Sequence, residues 1–260
     1  MKIIDAFVFY NELEMLNYRL ETLSPHVDYF VLVEATYTHN GMPKPLHFNE
    51  NKSRFSKFLH KIVHVVVDDF PYKEKVSDGR QWINEAFQRE KGISRGLQLV
   101  PGIDLDDYAV CSDLDEIVNP DLIRDVRSGK MSLLGDFHAL EMDFYYYNLT
   151  NYLGKWSACC LLKVRVAIES CCRWKCENTL PNAGWHLSYF GDAEFIRNKL
   201  LHFGHQEYND DKYTNSENIN KSIREGKDLF NRNNVTITKI KVCDNQNLPP
   251  RMDLLTNFWT

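Results

Sequence analysis

Three carboxylates, Asp113, Asp115 and Glu116, crowd into the stretch Tyr108–Asn119, which reads YAVCSDLDEIVN. Acids this close repel one another, and a hard divalent cation such as Mg²⁺ or Mn²⁺, which prefers oxygen ligands, would neutralise them. The residues just ahead, Tyr108 to Cys111, form a short apolar run suited to a strand buried on both faces. In an open α/β sheet, ligands bind beyond the carboxyl ends of the strands, so these acids would face a crevice. Asp-x-Asp by itself is more often a solvated loop or a helix cap. The buried strand in front of it is what gives the triplet a functional reading.

Other residues could serve the same crevice. Glu12 and Arg19 lie at the start of the first helix, and Glu34 follows the apolar run Tyr29–Val33. Above one sheet edge the three offer donors and acceptors for a nucleotide's base and ribose, the plainer alternative being that Arg19 pairs with a structural carboxylate. Arg89 and Arg95 sit on one helical stretch, where a planar guanidinium fork can grip a diphosphate and at least one of the two is a solvated helix residue. In Ala183-Gly184-Trp185-His186, glycine permits close backbone approach, tryptophan offers a face to a sugar ring, and histidine can ligate metal. His202, His205 and Glu207 follow, an acid and imidazole group able to complete a metal site or supply a base.

The elements that must position these residues follow from periodicity. Lys2–Phe9 reads as a strand, and Leu13, Leu16, Leu20 and Leu23 then recur at helical spacing until Ser24-Pro25. Tyr29–Val33 and Lys61–Val67 are further strands, with an irregular, functionally suggestive loop over Ala35–Asn49 between them. A helix from Gly79 to Leu99, burying Trp82, Ala86, Phe87, Ile93 and Leu97, leads into the acidic strand. This β/α alternation predicts a Rossmann-type, mainly parallel sheet flanked by helices. After a short helix at Asp121–Arg127, started by Pro120, Phe137–Leu149 and Ser157–Ile168 read as longer antiparallel strands turning near Gly154. They predict a smaller antiparallel sheet. Leu180–Gly191 is punctuated by Pro and Gly, helices follow at Asp192–Phe203 and Ser216–Phe230, and the tail from Cys243 reads as a loosely held strap. One domain over 1–260 is expected, with a nucleotide-binding half at 1–127, a catalytic half at 128–242 and a tail at 243–260.

Composition narrows the classes. A net charge of −5, with scattered basic residues, gives no nucleic-acid footprint. The apolar run near Met1 is too short for a signal h-region or a membrane span, so cytoplasmic residence is the expectation and the sequons at Asn51, Asn148, Asn220 and Asn234 are expected to be bare. Of 7 cysteines, Cys159, Cys160, Cys171, Cys172 and Cys176 crowd together without the Cys-x₂-Cys pair of a zinc ribbon. Reduced, mostly buried thiols are expected.

Taken together, the chain resembles glycosyltransferase family 17 from Ile4 to about Phe230. The resemblance rests on Asn11-Glu12 with Glu14 and Arg19, on Glu34–Leu46, on Trp82 and Gly92-Ile93-Ser94-Arg95, on Asp113–Ile117, and on Gly184-Trp185-His186 with Ser188. It implies a GT-A-like fold, a UDP-sugar donor with GlcNAc as first choice, a glycan acceptor, and inversion at the anomeric carbon. On that reading Asp115 holds Mn²⁺ or Mg²⁺, Asp113 holds the ribose or the metal, and His186 is a further metal ligand. The base is one of Glu116, Asp143, Asp192 and Glu207, with Asp121 a helix-start acid. Two alternatives stay open: a Mg²⁺-dependent phosphohydrolase of the haloacid-dehalogenase type, and a non-catalytic carbohydrate-binding protein suggested by the Tyr145-Tyr146-Tyr147 run.

Overall fold

A computed structural model describes residues 1–171 and 178–258. Alternating strands and helices open the chain: β1 (Ile3–Phe9), α1 (Leu13–Leu23), β2 (Tyr29–Ala35), the single turn α2 (His47–Glu50), β3 (Ile62–Val67), α3 (Arg80–Leu99) and β4 (Tyr108–Asp113). After them come β5 (Glu116–Val118), α4 (Pro120–Arg127), β6 (Phe137–Tyr146), β7 (Asn151–Lys163), α5 (Val164–Glu169) and β8 (Asn178–Ser188). A smaller lobe is built from α6 (Ala193–His202), α7 (Asp211–Thr214) and α8 (Ser216–Glu225), with a short β9 (Thr238–Lys239) beyond.

Among the described residues the strands form one sheet in the order β3-β2-β1-β4-β7-β6-β8-β5, with β9 paired to β7. The first four run parallel, which is the Rossmann-type half expected. From β4 the sheet continues antiparallel into β7 and β6, with Tyr108 opposite Lys163 and Cys111 opposite Cys160. The antiparallel strands are therefore an extension of the same sheet. β8 runs parallel to β6, and β5 closes that edge antiparallel to β8.

Alternation along the strands sends side chains to two cores. Phe7, Phe30, Leu32 and Val110 meet Leu16 and Leu20 of α1 on one face, while Ala6, Val31, Val33 and Ala109 meet Ile93 and Leu97 of α3 on the other. α3 lies close because its contact face carries glycine. A Cβ built on Gly92 would stand 2.2 Å from Val33 Cγ1, and one on Gly96 would stand 2.2 Å from Val31 Cγ1. This differs from the expected helix face: Ile93 and Leu97 are buried, but Trp82 is 38% exposed. Asn84 and Gln88 are buried instead, Asn84 donating to the His39 and Tyr72 carbonyls of the neighbouring loops and Gln88 to the Val33 carbonyl of β2.

Several boundaries shift for local reasons. Ser157–Ile168 does not stay extended: β7 ends at Lys163, where its partner β4 begins, and Val164–Glu169 coils into α5. The β6–β7 turn falls at Tyr147–Thr150, where Asn148 Oδ1 accepts from the Thr150 amide and hydroxyl, and Gly154 lies inside β7 opposite Phe144. The Pro- and Gly-punctuated stretch at 180–191 is largely strand β8, with a register shift around Pro181. Gly184 takes φ 154, and a Cβ there would stand 2.1 Å from the Ile117 carbonyl oxygen, so only glycine lets β8 close on β5. α8 stops at Gly226, a left-handed C-cap.

The tail is not loose. The Trp185 indole donates to the Asn247 carbonyl at 2.8 Å, the Tyr18 hydroxyl donates to that of Pro250 at 2.7 Å, and Leu255 is fully buried. Cys111 and Cys171 are buried, as expected of reduced thiols, whereas Cys172 and Cys176 lie outside the described residues. No described helix is long and apolar enough to cross a membrane.

Candidate active site

The strand order changes direction at β1. The chain moves outward from β1 to β2 and β3, then returns to its other side as β4. A crevice opens where such a reversal occurs, because the loops leaving the two strands diverge. Here it is a cleft of about 490 Å³. Val8 to Tyr10 and Glu12 line it from the end of β1, and Asp113-Leu114-Asp115 from the end of β4.

Arg19 holds this acidic corner from beneath. Its guanidinium is fully buried, pairs with Asp5 at 2.5 and 2.8 Å, and donates to the carbonyls of Asp113, Leu114 and Glu116 at 2.9 Å each. Burial works against its charge, but Asp5 outweighs that and raises its pKa. Glu116 completes the frame. Its carboxylate accepts from the Asp113 amide at 2.7 Å and from the Trp156 indole at 2.5 Å, and it is buried. Arg19 and Glu116 thus shape the loop and do not open into the cleft.

Each acid that reaches the cleft meets a cation. Arg89 on α3 bridges Asp113 at 3.0 Å and Glu85 at 2.9 Å. Asp115 Oδ2 accepts from Lys199 Nζ at 3.0 Å, and Asp115 Oδ1 is 3.5 Å from His186 Nε2. Lys199 Nζ also lies 3.7 Å from Glu12, whose other oxygen accepts from the Tyr10 and Asn11 amides. Burial pushes the Asp115 carboxyl upward, but Lys199 and then His186 outweigh it and hold the group well below the usual carboxylate range. Lys199 is displaced the opposite way: burial lowers it, while Asp115 and Glu12 raise it above an ordinary lysine. His186 stacks flat on Phe144, with ring centroids 4.4 Å apart, and lies 4.8 Å from Trp156. Its Nδ1 is buried with no hydrogen-bond partner among the described residues.

The rest of the cleft is aromatic and polar. Tyr208 stacks on Phe230 at 3.8 Å, and Trp82 packs edge-on to His205 at 4.5 Å. Loop residues Tyr37, Thr38, His39 and Lys44 line the side nearer β2, from within the long loop expected to be functional.

Of the residues singled out from sequence, Glu12, Arg89, Asp113, Asp115 and His186 are brought together in the cleft, and His202 and His205 also line it. Others lie elsewhere. Glu34 is buried beneath the loop, accepting from the Phe48 amide at 2.9 Å and facing His64 at 3.0 Å. Arg95 has a 43% exposed side chain bound to Asp69. Trp185 is buried against the tail, so the tryptophans at the cleft are Trp82 and Trp156. Glu207 pairs with His205 at 2.6 Å outside the cleft lining, Asp143 is bound by Lys155 and Asn247, and Asp192 caps α6. None of the four carboxylates expected as base lines the cleft. Sequence reasoning passed over Glu85, Trp156 and Lys199. The signal for Lys199 was its place on the helix capped by Asp192, on the same face as His202.

The described residues hold no cage of three or more His, Cys, Asp or Glu side chains fit for a metal. A Mg²⁺-type site does not require one, since such ions are held by one or two protein carboxylates together with substrate phosphates and water. Asp115 offers one such carboxylate with His186 Nε2 3.5 Å from it, and because His186 Nδ1 has no hydrogen-bond partner among the described residues, the ring is held by stacking on Phe144 in place of the usual outer-shell bond. The residues fit a substrate-completed metal site.

Fold and cleft define the class: a Rossmann-type α/β protein with paired acids and cations at the switch point of its sheet, the place such folds reserve for nucleotides. Residues 1–240 match glycosyltransferase family 17, and the chain belongs to that family. The β-1,4-mannosyl-glycoprotein 4-β-N-acetylglucosaminyltransferases of Rattus norvegicus and Homo sapiens are each 34% identical over 124 residues, 45% of this chain. The matched region is about a fifth of those relatives' length, 21% and 22% respectively. The solved structure of S. aureus TarS 1-349 aligns with a TM-score of 0.41 and 12% identity, covering 90% of this chain and 74% of that one.

Proposed function

We propose that the cleft binds a UDP-sugar, with GlcNAc as the transferred sugar, and moves it with inversion onto a hydroxyl of a glycan acceptor. The observation that carries this reading is the meeting of Asp113 and Asp115 with Arg89 and Lys199 at the switch-point crevice of a family 17 chain. The names of the relatives support GlcNAc as donor sugar and a glycan as acceptor.

In the transfer, the bond from the sugar's anomeric carbon to the diphosphate oxygen breaks and its electron pair leaves with UDP. The acceptor oxygen bonds to that carbon from the opposite face, and its proton passes to a carboxylate. Asp115 and His186 would hold the divalent cation, which when bound supplies Lewis-acid neutralisation of the diphosphate. Arg89, fixed between Glu85 and Asp113, presents its planar fork to the same charge. Lys44 has a nearly buried side chain at the cleft and adds positive potential. Glu116 serves as a positioning residue, since it holds the Asp113 amide and the Trp156 indole.

The test is UDP release from UDP-GlcNAc with Mn²⁺, measured with and without a panel of oligosaccharides. Release stimulated by one acceptor, and reduced by about 10²-fold or more in Asp115→Asn, is the expected result. Turnover of a different nucleotide sugar would replace the donor, and turnover of none would end the reading.

A further inference from the structure

Asp115, proposed to hold a divalent cation, already has a cation from the chain itself. Lys199 Nζ lies 3.0 Å from Asp115 and 3.7 Å from Glu12, with the Tyr189 ring 5.6 Å away. The lysine is carried by α6, whose Ile196 and Leu200 belong to the core of the smaller lobe. Its side chain is 20% exposed and borders the cleft. Lys199 holds Asp115 Oδ2 while His186 faces Oδ1, so a divalent ion placed on the Oδ1 side would stand across a single carboxylate from the ammonium, and like charges that close repel.

We infer that Lys199 is a resident counter-cation of the Asp-x-Asp corner, displaced when metal and nucleoside diphosphate enter together, its ammonium passing from Asp115 to the diphosphate oxygens. This inference rests on the reading of Asp115 as a metal ligand. Free metal binds weakly, because it must evict the ammonium from Asp115 and Glu12. A nucleoside diphosphate gives that ammonium a new anionic partner, so metal and nucleotide strengthen each other's binding beyond direct chelation. The device also keeps the acids neutralised in the absence of ligand.

The test is Mn²⁺ titration followed by electron paramagnetic resonance, with and without UDP, on the parent protein, Lys199→Met, Lys199→Gln and Asp115→Asn, each checked for folding by circular dichroism. Both lysine variants are expected to bind free Mn²⁺ about tenfold more tightly than the parent. UDP then raises Mn²⁺ affinity by a smaller factor in the variants than in the parent. Should the methionine variant not fold, the glutamine variant, which keeps a hydrogen bond to Asp115 without the charge, carries the comparison. Equal Mn²⁺ affinity in parent and lysine variants, with binding lost in Asp115→Asn, would overturn the role of Lys199 and leave the metal reading standing. No Mn²⁺ binding by any of the proteins, even with UDP, would overturn both.

Discussion

The two sides of the cleft hold their charged side chains in different ways. The parallel half delivers Glu12 after β1, Asp113 and Asp115 at the end of β4, where the fully buried Arg19 ties down the Asp113 and Leu114 carbonyls, and Arg89 from α3. The later part of the chain delivers His186 from β8 and Lys199 from α6, the latter anchored in a separate small core around Tyr146, Tyr189, Ile196 and Leu200. The acids are fixed by many bonds at once, and Lys199 by one helix. A site that must take up and release a charged ligand benefits from that difference, because the fixed part keeps its geometry while the other side adjusts.

Breaking the fixed side should have the largest effect. Arg19→Met leaves Asp5 charged and buried and strips three carbonyls of their donor, a loss of about 3–5 kcal/mol in urea denaturation. A loss below 1 kcal/mol would show that the corner does not depend on Arg19. Loosening the other side should cost less and stay local. Leu200→Ala opens a cavity in the small lobe worth about 2–3 kcal/mol. Hydrogen exchange should then accelerate in α6 and α8 while β1, β2 and β4 keep their protection, and uniform acceleration would contradict two separately held sides.

Two smaller effects sharpen the contrast. Trp185→Phe removes the indole bond to Asn247 and should cost about 1 kcal/mol while making the tail from Cys243 easier to cleave with protease. Unchanged proteolysis would return that tail to a loose strap. The Asp115–Lys199 pair gives a pH signature. Asp115 titrates below its ordinary 3.8 in the folded chain, so its contribution is full above that value and is lost as pH falls below it. Lys199 titrates above its ordinary 10.5, so its contribution is full below that value and fades as pH rises beyond it. The stability difference between parent and Lys199→Met should therefore be flat from about pH 5 to 9 and shrink in acid. A difference that grows toward pH 3 would contradict the pairing.

The parallel half was legible because each strand is a short apolar run ending in acids, and Asp113 and Asp115 announced the crevice by that abrupt change. Polarity alone could not separate cleft residues from frame residues. Arg19, Glu34 and Glu116 have the composition of ligand-binding groups, yet the structure spends them on Asp5, the Phe48 amide and Trp156. The second half was harder to read because its strands break register at Leu140–Met142 and Phe144–Tyr145, so alternation was interrupted where it was needed. Lys199 was passed over for a different reason. A lysine on a helix reads as solvated, and only the fold brings α6 close enough for Lys199 to reach Asp115.

The central claim is that the acids at the end of β4 hold a nucleotide sugar. Isothermal titration of UDP-GlcNAc with Mn²⁺ into the parent protein and Asp113→Asn tests it most directly. Saturable binding by the parent, weakened at least tenfold in the variant while its melting temperature is kept, is the predicted result. Equal binding by both proteins, or none by the parent, would contradict the account.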